Sequence, residues 1–108
     1  MRDHAKGGAL TEVTFFILLA LRQPRHGYAV MQFIEEETQG RLVLGAGTLY
    51  GALNHLCEKG WIEPLAGDPP RQRRYQLTPL GQEAARAELA RLKALTALAR
   101  RHLEGDAP

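Results

Sequence analysis

Gly47-Thr48-Leu49-Tyr50-Gly51-Ala52-Leu53-Asn54-His55-Leu56-Cys57-Glu58-Lys59-Gly60-Trp61-Ile62 is the stretch that decides the fold. Leu49, Ala52, Leu53 and Leu56 recur at the three-and-four spacing of one helix face. Gly45 is a tolerable N-cap and Gly60 a good stop, so the pattern predicts a helix over 46–59. Residues 61–65 have the composition of a strand. Gly67-Asp68-Pro69-Pro70 is a turn, and 71–77 pairs back from it, with Tyr75 and Leu77 on one face and Arg74 and Gln76 on the other. A short helix therefore runs straight into a hairpin whose return strand opens with Arg71, Arg73 and Arg74.

Upstream, Leu10, Val13, Phe16, Ile17, Ala20 and Leu21 recur at helical spacing, which predicts a first helix over 9–22, ended by Pro24. Phe15, Leu18 and Leu19 lie off that stripe, so this helix is apolar on more than one face and needs cover on more than one side. Residues 1–8 read as a loose polar arm. His26-Gly27 is a tight connection into a second helix over 28–38, with Val30, Phe33, Ile34 and Glu37 on one face and Gly40 as its stop. Leu42-Val43-Leu44 is a short apolar link with room for one or two residues of strand. Downstream, Thr78 as N-cap and Pro79 at the first helical position start a last helix that runs to about residue 103. In it Ala85, Leu89, Leu92, Thr96, Ala99 and Leu103 follow the alternating spacing of a coiled-coil seam, widened by Leu95 and Leu98. A second subunit is the economical cover for so much apolar surface.

The order helix, helix, helix, strand, strand, helix is a mainly α, α+β architecture: a winged helix-turn-helix over 9–78, followed by a C-terminal dimerisation helix over 79–104. The 108 residues make one small folding unit, and 44% apolar with 24% charged residues is ordinary for a globular protein. A lone cysteine excludes an internal disulfide, which suits a reducing cytoplasm. No apolar run is long enough to span a bilayer, and a signal peptide is not expected. The net charge of +2 does not by itself imply nucleic acid, so that inference rests on local clustering.

Opposite its apolar stripe, the 46–59 helix carries Gly47, Thr48, Tyr50, Gly51, Asn54, His55 and Glu58. Gly47 and Gly51 let the backbone come close to a groove wall. Asn54 suits a bidentate contact with adenine, and Thr48, Tyr50 and His55 can bond base edges or phosphates. The plain alternative is a solvated helix face. Arg71, Arg73 and Arg74, with no acidic residue among them, are suited to phosphate, and their place beside this helix favours double-stranded DNA over an ordinary basic turn. A winged-helix protein-interaction module without DNA binding is the competing reading, and such a module has no need of an unpaired basic tip.

Catalysis finds no support. The chain has no serine, Glu35, Glu36 and Glu37 form a solvated run, and no phosphate loop fits a strand-to-helix junction. His4, His26, His55 and His102 lack metal-ligand spacing, and no cofactor is expected. Cys57, at the edge of the buried stripe, reads as a core thiol, with redox sensing as the alternative.

Three stretches together resemble the PadR family of bacterial transcriptional regulators: His26-Gly27-Tyr28, Gly47-Thr48-Leu49-Tyr50 with Leu53 and Leu56, and Tyr75-Gln76-Leu77-Thr78 with Gly81. The resemblance covers roughly residues 9–82, and the last helix is similar to the short branch with a single C-terminal helix. Gly51 stands where the family often has proline, and Arg74 where it often has a tyrosine beside Tyr75. The resemblance implies a homodimeric regulator, usually a repressor, on a palindromic operator. It also implies a small aromatic effector in a cavity between the first and last helices, for which Phe15, Phe16, Leu19, Leu92, Thr96 and Ala99 are the candidates. Plain dimer core is the alternative for that stripe.

Overall fold

Thr11 sets where the first helix begins. In the computed structural model, which describes residues 8–105, its hydroxyl accepts the Thr14 amide proton at 3.1 Å and caps α1, Glu12–Ala20. The helix is thus shorter at both ends than the apolar pattern predicts, because a threonine cap outweighs the apolar residues before it. The arm expected over 1–8 falls, apart from Gly8, outside the described residues. Ile17, Leu18, Ala20 and Leu21 are fully buried, while Phe16 is only partly so. The stripe facing the core is therefore rotated towards Leu18 from the one expected.

The connection at His26 is itself structural. Arg25–His26 forms β1, which pairs antiparallel with the outer part of the hairpin, and His26 then caps α2, Gly27–Glu37, accepting the Ala29 amide at Nδ1 (3.3 Å). Two-residue strands carry no readable alternation, so this one is invisible to a pattern search. Val30 and Ile34 turn inward. The helix ends where Gln39 and then Gly40 adopt positive φ, 53° and 83°, so the stop begins one residue before the expected glycine. Residues 42–44 form no strand; Leu44 alone drops into the core.

α3 spans Ala46–Glu58 and buries Leu49, Leu53 and Leu56. Gly60, at φ 78°, reverses the chain into β2, Ile62–Pro64. After the tip, a 3-10 turn over Pro70–Gln72 leads into β3, Arg74–Leu77. The sheet order is β1-β3-β2, with Glu63 opposite Gln76 and Arg25 opposite Tyr75. The returning strand is shorter than the 71–77 expected, because Pro69 and Pro70 fold its first residues into the turn.

Thr78 joins the wing to the last helix. Its hydroxyl accepts the Gly81 amide at 3.0 Å and donates to the Gly60 carbonyl at 2.6 Å, and Pro79 follows at the first helical position. α4 covers Pro79–Arg100 and finishes in a π-helical turn, Arg101–Gly105, where the sequence predicts a plain helix to 103. Its early part belongs to the core. Gly81 is buried so closely against Trp61 that an added Cβ would overlap the Trp61 carbonyl oxygen, and Ala85 joins the apolar cluster of α1, α2 and α3. Beyond that α4 projects outward, and the long axis of the molecule reaches 60 Å against 29 and 24 Å for the others. No helix among the described residues is long and apolar enough to cross a membrane.

Candidate nucleic-acid interface

α3 presents one face to the core and the other to solvent. Gly47, Thr48, Tyr50, Gly51, Asn54, His55 and Glu58 are all exposed, so the seven residues expected to face outward do so. Open space surrounds Gly47 and Gly51, and an added Cβ at either would meet nothing within 4 Å. The absence of the two side chains makes a shallow, backbone-lined strip along the helix, flanked by Thr48 and His55 on one side and by Tyr50 and Asn54 on the other.

The wing adds charge, but not in the expected arrangement. Arg74 is not a free cation. Its Nε donates to Asp68 Oδ2 at 3.0 Å, its Nη2 to Oδ1 at 3.2 Å, and its backbone amide to Oδ2 at 2.9 Å. This bidentate grip, reinforced by the amide, holds the Asp68 carboxyl below the usual carboxylate range. The expectation of an unpaired tip fails at Arg74, because the acidic residue lies across the turn rather than among the arginines. Arg71 and Arg73 do stay exposed, with no acidic hydrogen-bond partner among the described residues.

Between α3 and the wing tip lies a groove of about 220 Å³ lined by His26, Tyr28, Tyr50, Arg71, Arg73 and Tyr75, among others. The charge of Arg73 is felt here, favouring the ionised forms of both the Tyr75 phenol and the Cys57 thiol. Burial outweighs it at both groups and pushes them up, so Cys57 carries the signature of a packed thiol rather than a reactive one. The sequence pattern points to Tyr50 and the arginines of this groove but not to His26, Tyr28 or Tyr75 as site residues. By pattern alone the first two mark only the start of a helix, although the trio His26-Gly27-Tyr28 is itself the signal. Gly27 is buried beneath the Tyr50 ring, and any side chain there would overlap the Tyr50 hydroxyl.

The expected effector residues do not converge. Phe15 and Leu19 line a pocket of about 340 Å³ with Arg22, Gln82, Ala85, Arg86 and Leu89. Leu92 and Thr96 line a separate depression further along α4, shared with Lys93, Ala97 and Arg100. Phe16 and the half-buried Ala99 line neither hollow. Length explains the split: at about 1.5 Å per residue, α1 reaches only the first turns of the much longer α4. Nor does the sequence reveal Glu88. Only 3% exposed, it accepts Arg91 Nε at 2.9 Å and Nη2 at 2.6 Å and the Leu10 amide at 3.3 Å, fastening the segment before α1 to α4.

The family model for the Transcriptional regulator PadR-like family matches residues 17–87. An uncharacterized 37.1 kDa protein in transposon TN4556 of Streptomyces fradiae is 41% identical over 78 residues, which are 71% of this chain and 22% of that protein. The chain thus spans about a fifth of the length of this curated relative. Among solved structures, a PadR family transcriptional regulator from Eggerthella lenta aligns with a TM-score of 0.73 at 22% identity, covering 87% of this chain and 83% of that one. A transcriptional regulator from Clostridium thermocellum gives 0.70 at 21%, covering 94% and 99%. Both of these likenesses concern the fold. RosR of H. salinarum gives 0.65 at 28%, covering 91% and 81%. With α3, the wing and the His26-Gly27-Tyr28 joint all inside the matched span, the chain belongs to the PadR-like family of transcriptional regulators, which are DNA-binding proteins and not enzymes.

Proposed function

We propose that this chain binds double-stranded DNA as a homodimer and represses transcription from a palindromic operator. Residues 9–78 form the DNA-contacting unit and 79–104 the pairing helix. α3 enters the major groove with Thr48, Asn54 and His55 towards the bases and Tyr50 folded over Gly27 at its edge, and Gly47 and Gly51 allow close approach. Arg71 and Arg73 reach the flanking phosphates. The observation that carries this reading is the wholly exposed polar face of α3 beside two cations without acidic partners among the described residues. A two-fold pair of such units reads two half-sites, which is why the operator is palindromic.

Arg71→Ala with Arg73→Ala is expected to lower affinity for every duplex alike. It should also flatten the slope of log affinity against log salt by about 0.9 for each phosphate no longer neutralised, counted over both subunits of the dimer. Fluorescence anisotropy on duplexes of unrelated sequence, across a salt series, checks it; an unchanged slope removes the wing from the interface. Asn54→Ala should instead relax the preference at one base pair by about 1–3 kcal/mol, read from a library selection.

Ligand response is the finer part of the proposal. The hollow between α1 and α4 has an apolar floor of Phe15, Leu19 and Leu89, with Arg22, Gln82 and Arg86 at its lining. Its volume of about 340 Å³ lies within the range of small-molecule sites and fits a small aromatic effector. Titrating phenolic acids and planar cationic dyes against the DNA complex tests this: release by a member of the panel supports it, and unchanged affinity throughout removes it.

A further inference from the structure

The groove between the wing tip and the start of α2 has features that DNA binding by α3 alone does not explain. Two cations, Arg71 and Arg73, share it with the Tyr50, Tyr28 and Tyr75 phenols and with His26. No carboxylate lines it; Asp68, the acidic residue of the wing turn, is committed to Arg74. The backbone beneath is shaped to hold Tyr50 in place. Gly27 is buried, and its missing side chain leaves the space in which the Tyr50 hydroxyl rests. His26 is held from two sides, by pairing with Arg74 in the sheet and by accepting the Ala29 amide at Nδ1. The first helical residues, Gly27 and Tyr28, keep amides that have no acceptor within the helix. Cations and hydroxyl donors around a small concavity at the start of a helix are what an anionic tetrahedral oxygen cluster requires.

We infer that this groove seats one phosphodiester of the DNA backbone, with Tyr50 as a phosphate ligand positioned by Gly27 and with His26 and Tyr28 as further members of the site. The inference rests on the DNA-binding reading and deepens it. Tyr50 is moved from base reading to register setting: it fixes how far α3 turns into the groove. A single seated phosphate between α2 and the wing also makes the wing arginines and the helix act on the same DNA strand, at one point.

The test uses the full chain, a random-sequence 24-bp duplex and, separately, sodium phosphate. Gly27→Ala is expected to push the Tyr50 ring out of its place, since the overlapping atoms are the far end of a side chain that can swing away. Affinity for the duplex should fall about tenfold. Tyr50→Phe keeps the ring and removes only the hydroxyl, so a several-fold loss is expected with the melting temperature unchanged, which guards against a folding defect in the glycine variant. In amide NMR spectra, sodium phosphate should shift the Tyr28 and Ala29 signals of the wild type and leave them still in Arg71→Gln with Arg73→Gln. Wild-type affinity for the duplex in Tyr50→Phe overturns the seat while leaving DNA binding intact. Failure of the wild type to bind any duplex overturns the underlying reading instead. Phosphate-induced shifts combined with duplex affinity indifferent to Tyr50→Phe make free phosphate the occupant and overturn the assignment to DNA.

Discussion

At the scale of single residues, Asp68 decides how much of the wing's charge is available. It lies six residues before Arg74 in the chain, but the turn brings the two within 3.0 Å. The pair is solvent-facing at the arginine, so it contributes little to stability. Its effect on charge is larger: one wing cation is matched and one wing anion is held ionised. Asp68→Asn should therefore leave the fold intact and raise affinity for all duplexes, steepening the salt slope by about 0.9 per subunit if each freed Arg74 takes up one more phosphate. Affinity and slope equal to the wild type would show that Arg74 points away from DNA. This pairing is not legible in the sequence. Charge runs are read along the chain, and the set Arg71, Arg73 and Arg74 contains no acid, whereas the partner enters across a reverse turn. Gly27 is the converse case. The trio His26-Gly27-Tyr28 signals a fixed joint, but what fixes it is a side chain from α3, a packing relation no local pattern can carry.

At the scale of elements, the strong periodic segments are readable. α3 and the start of α4 fall where Gly45, Gly60, Thr78 and Pro79 put them, because caps and breakers act through the local backbone and need no tertiary knowledge. β1 is not, since its existence depends on pairing with a distant strand, and β3 is readable except for its start, which Pro69 and Pro70 draw into the turn. The same limit hides Glu88. Its place in the α4 pattern is one step from apolar Leu89, yet its burial comes with the Leu10 amide and the Arg91 guanidinium reaching it. Arg91, and to a lesser degree the Leu10 amide, holds the Glu88 carboxyl below the usual range, against the opposing effect of burial. A carboxyl whose folded value is depressed binds fewer protons folded than unfolded. Its contribution is complete above the unfolded value of about 4.3 and is lost as pH falls through the lowered folded value. Glu88→Gln is expected to cost about 2 kcal/mol at neutral pH, as a charge-assisted hydrogen bond is removed, and to abolish this share of the acid sensitivity. Thermal melts of both proteins from pH 7 down to pH 3 should therefore converge. Parallel curves across that range would mean that Glu88 does not titrate with folding.

At the scale of the whole molecule, α4 carries apolar surface that the winged unit does not cover. Its first turns bury Gly81, Ala85 and Glu88 against that unit, and beyond them Leu89, Leu95 and Leu98 stand 52%, 50% and 43% exposed. Ridge residues of this size on an outward-projecting helix are what a second copy would cover, and the seam expected from Leu89, Leu92, Thr96 and Ala99 runs along the same helix. Burying the exposed half of three leucines in a dimer contributes on the order of 1 kcal/mol each per subunit, enough to matter against the cost of association. Leu95→Glu with Leu98→Glu places like charges where two such helices would meet. Sedimentation equilibrium is expected to give twice the chain mass of 12.0 kDa for the wild type and the single chain mass for the variant. The melting behaviour of the winged unit should change little, because neither leucine belongs to its buried cluster. DNA affinity should nonetheless fall steeply, since a dimer presents two α3 helices at fixed spacing and a monomer only one. A variant that sediments as the wild type does would move the pairing surface elsewhere, with α1 and its exposed Leu19 as the next place to cut.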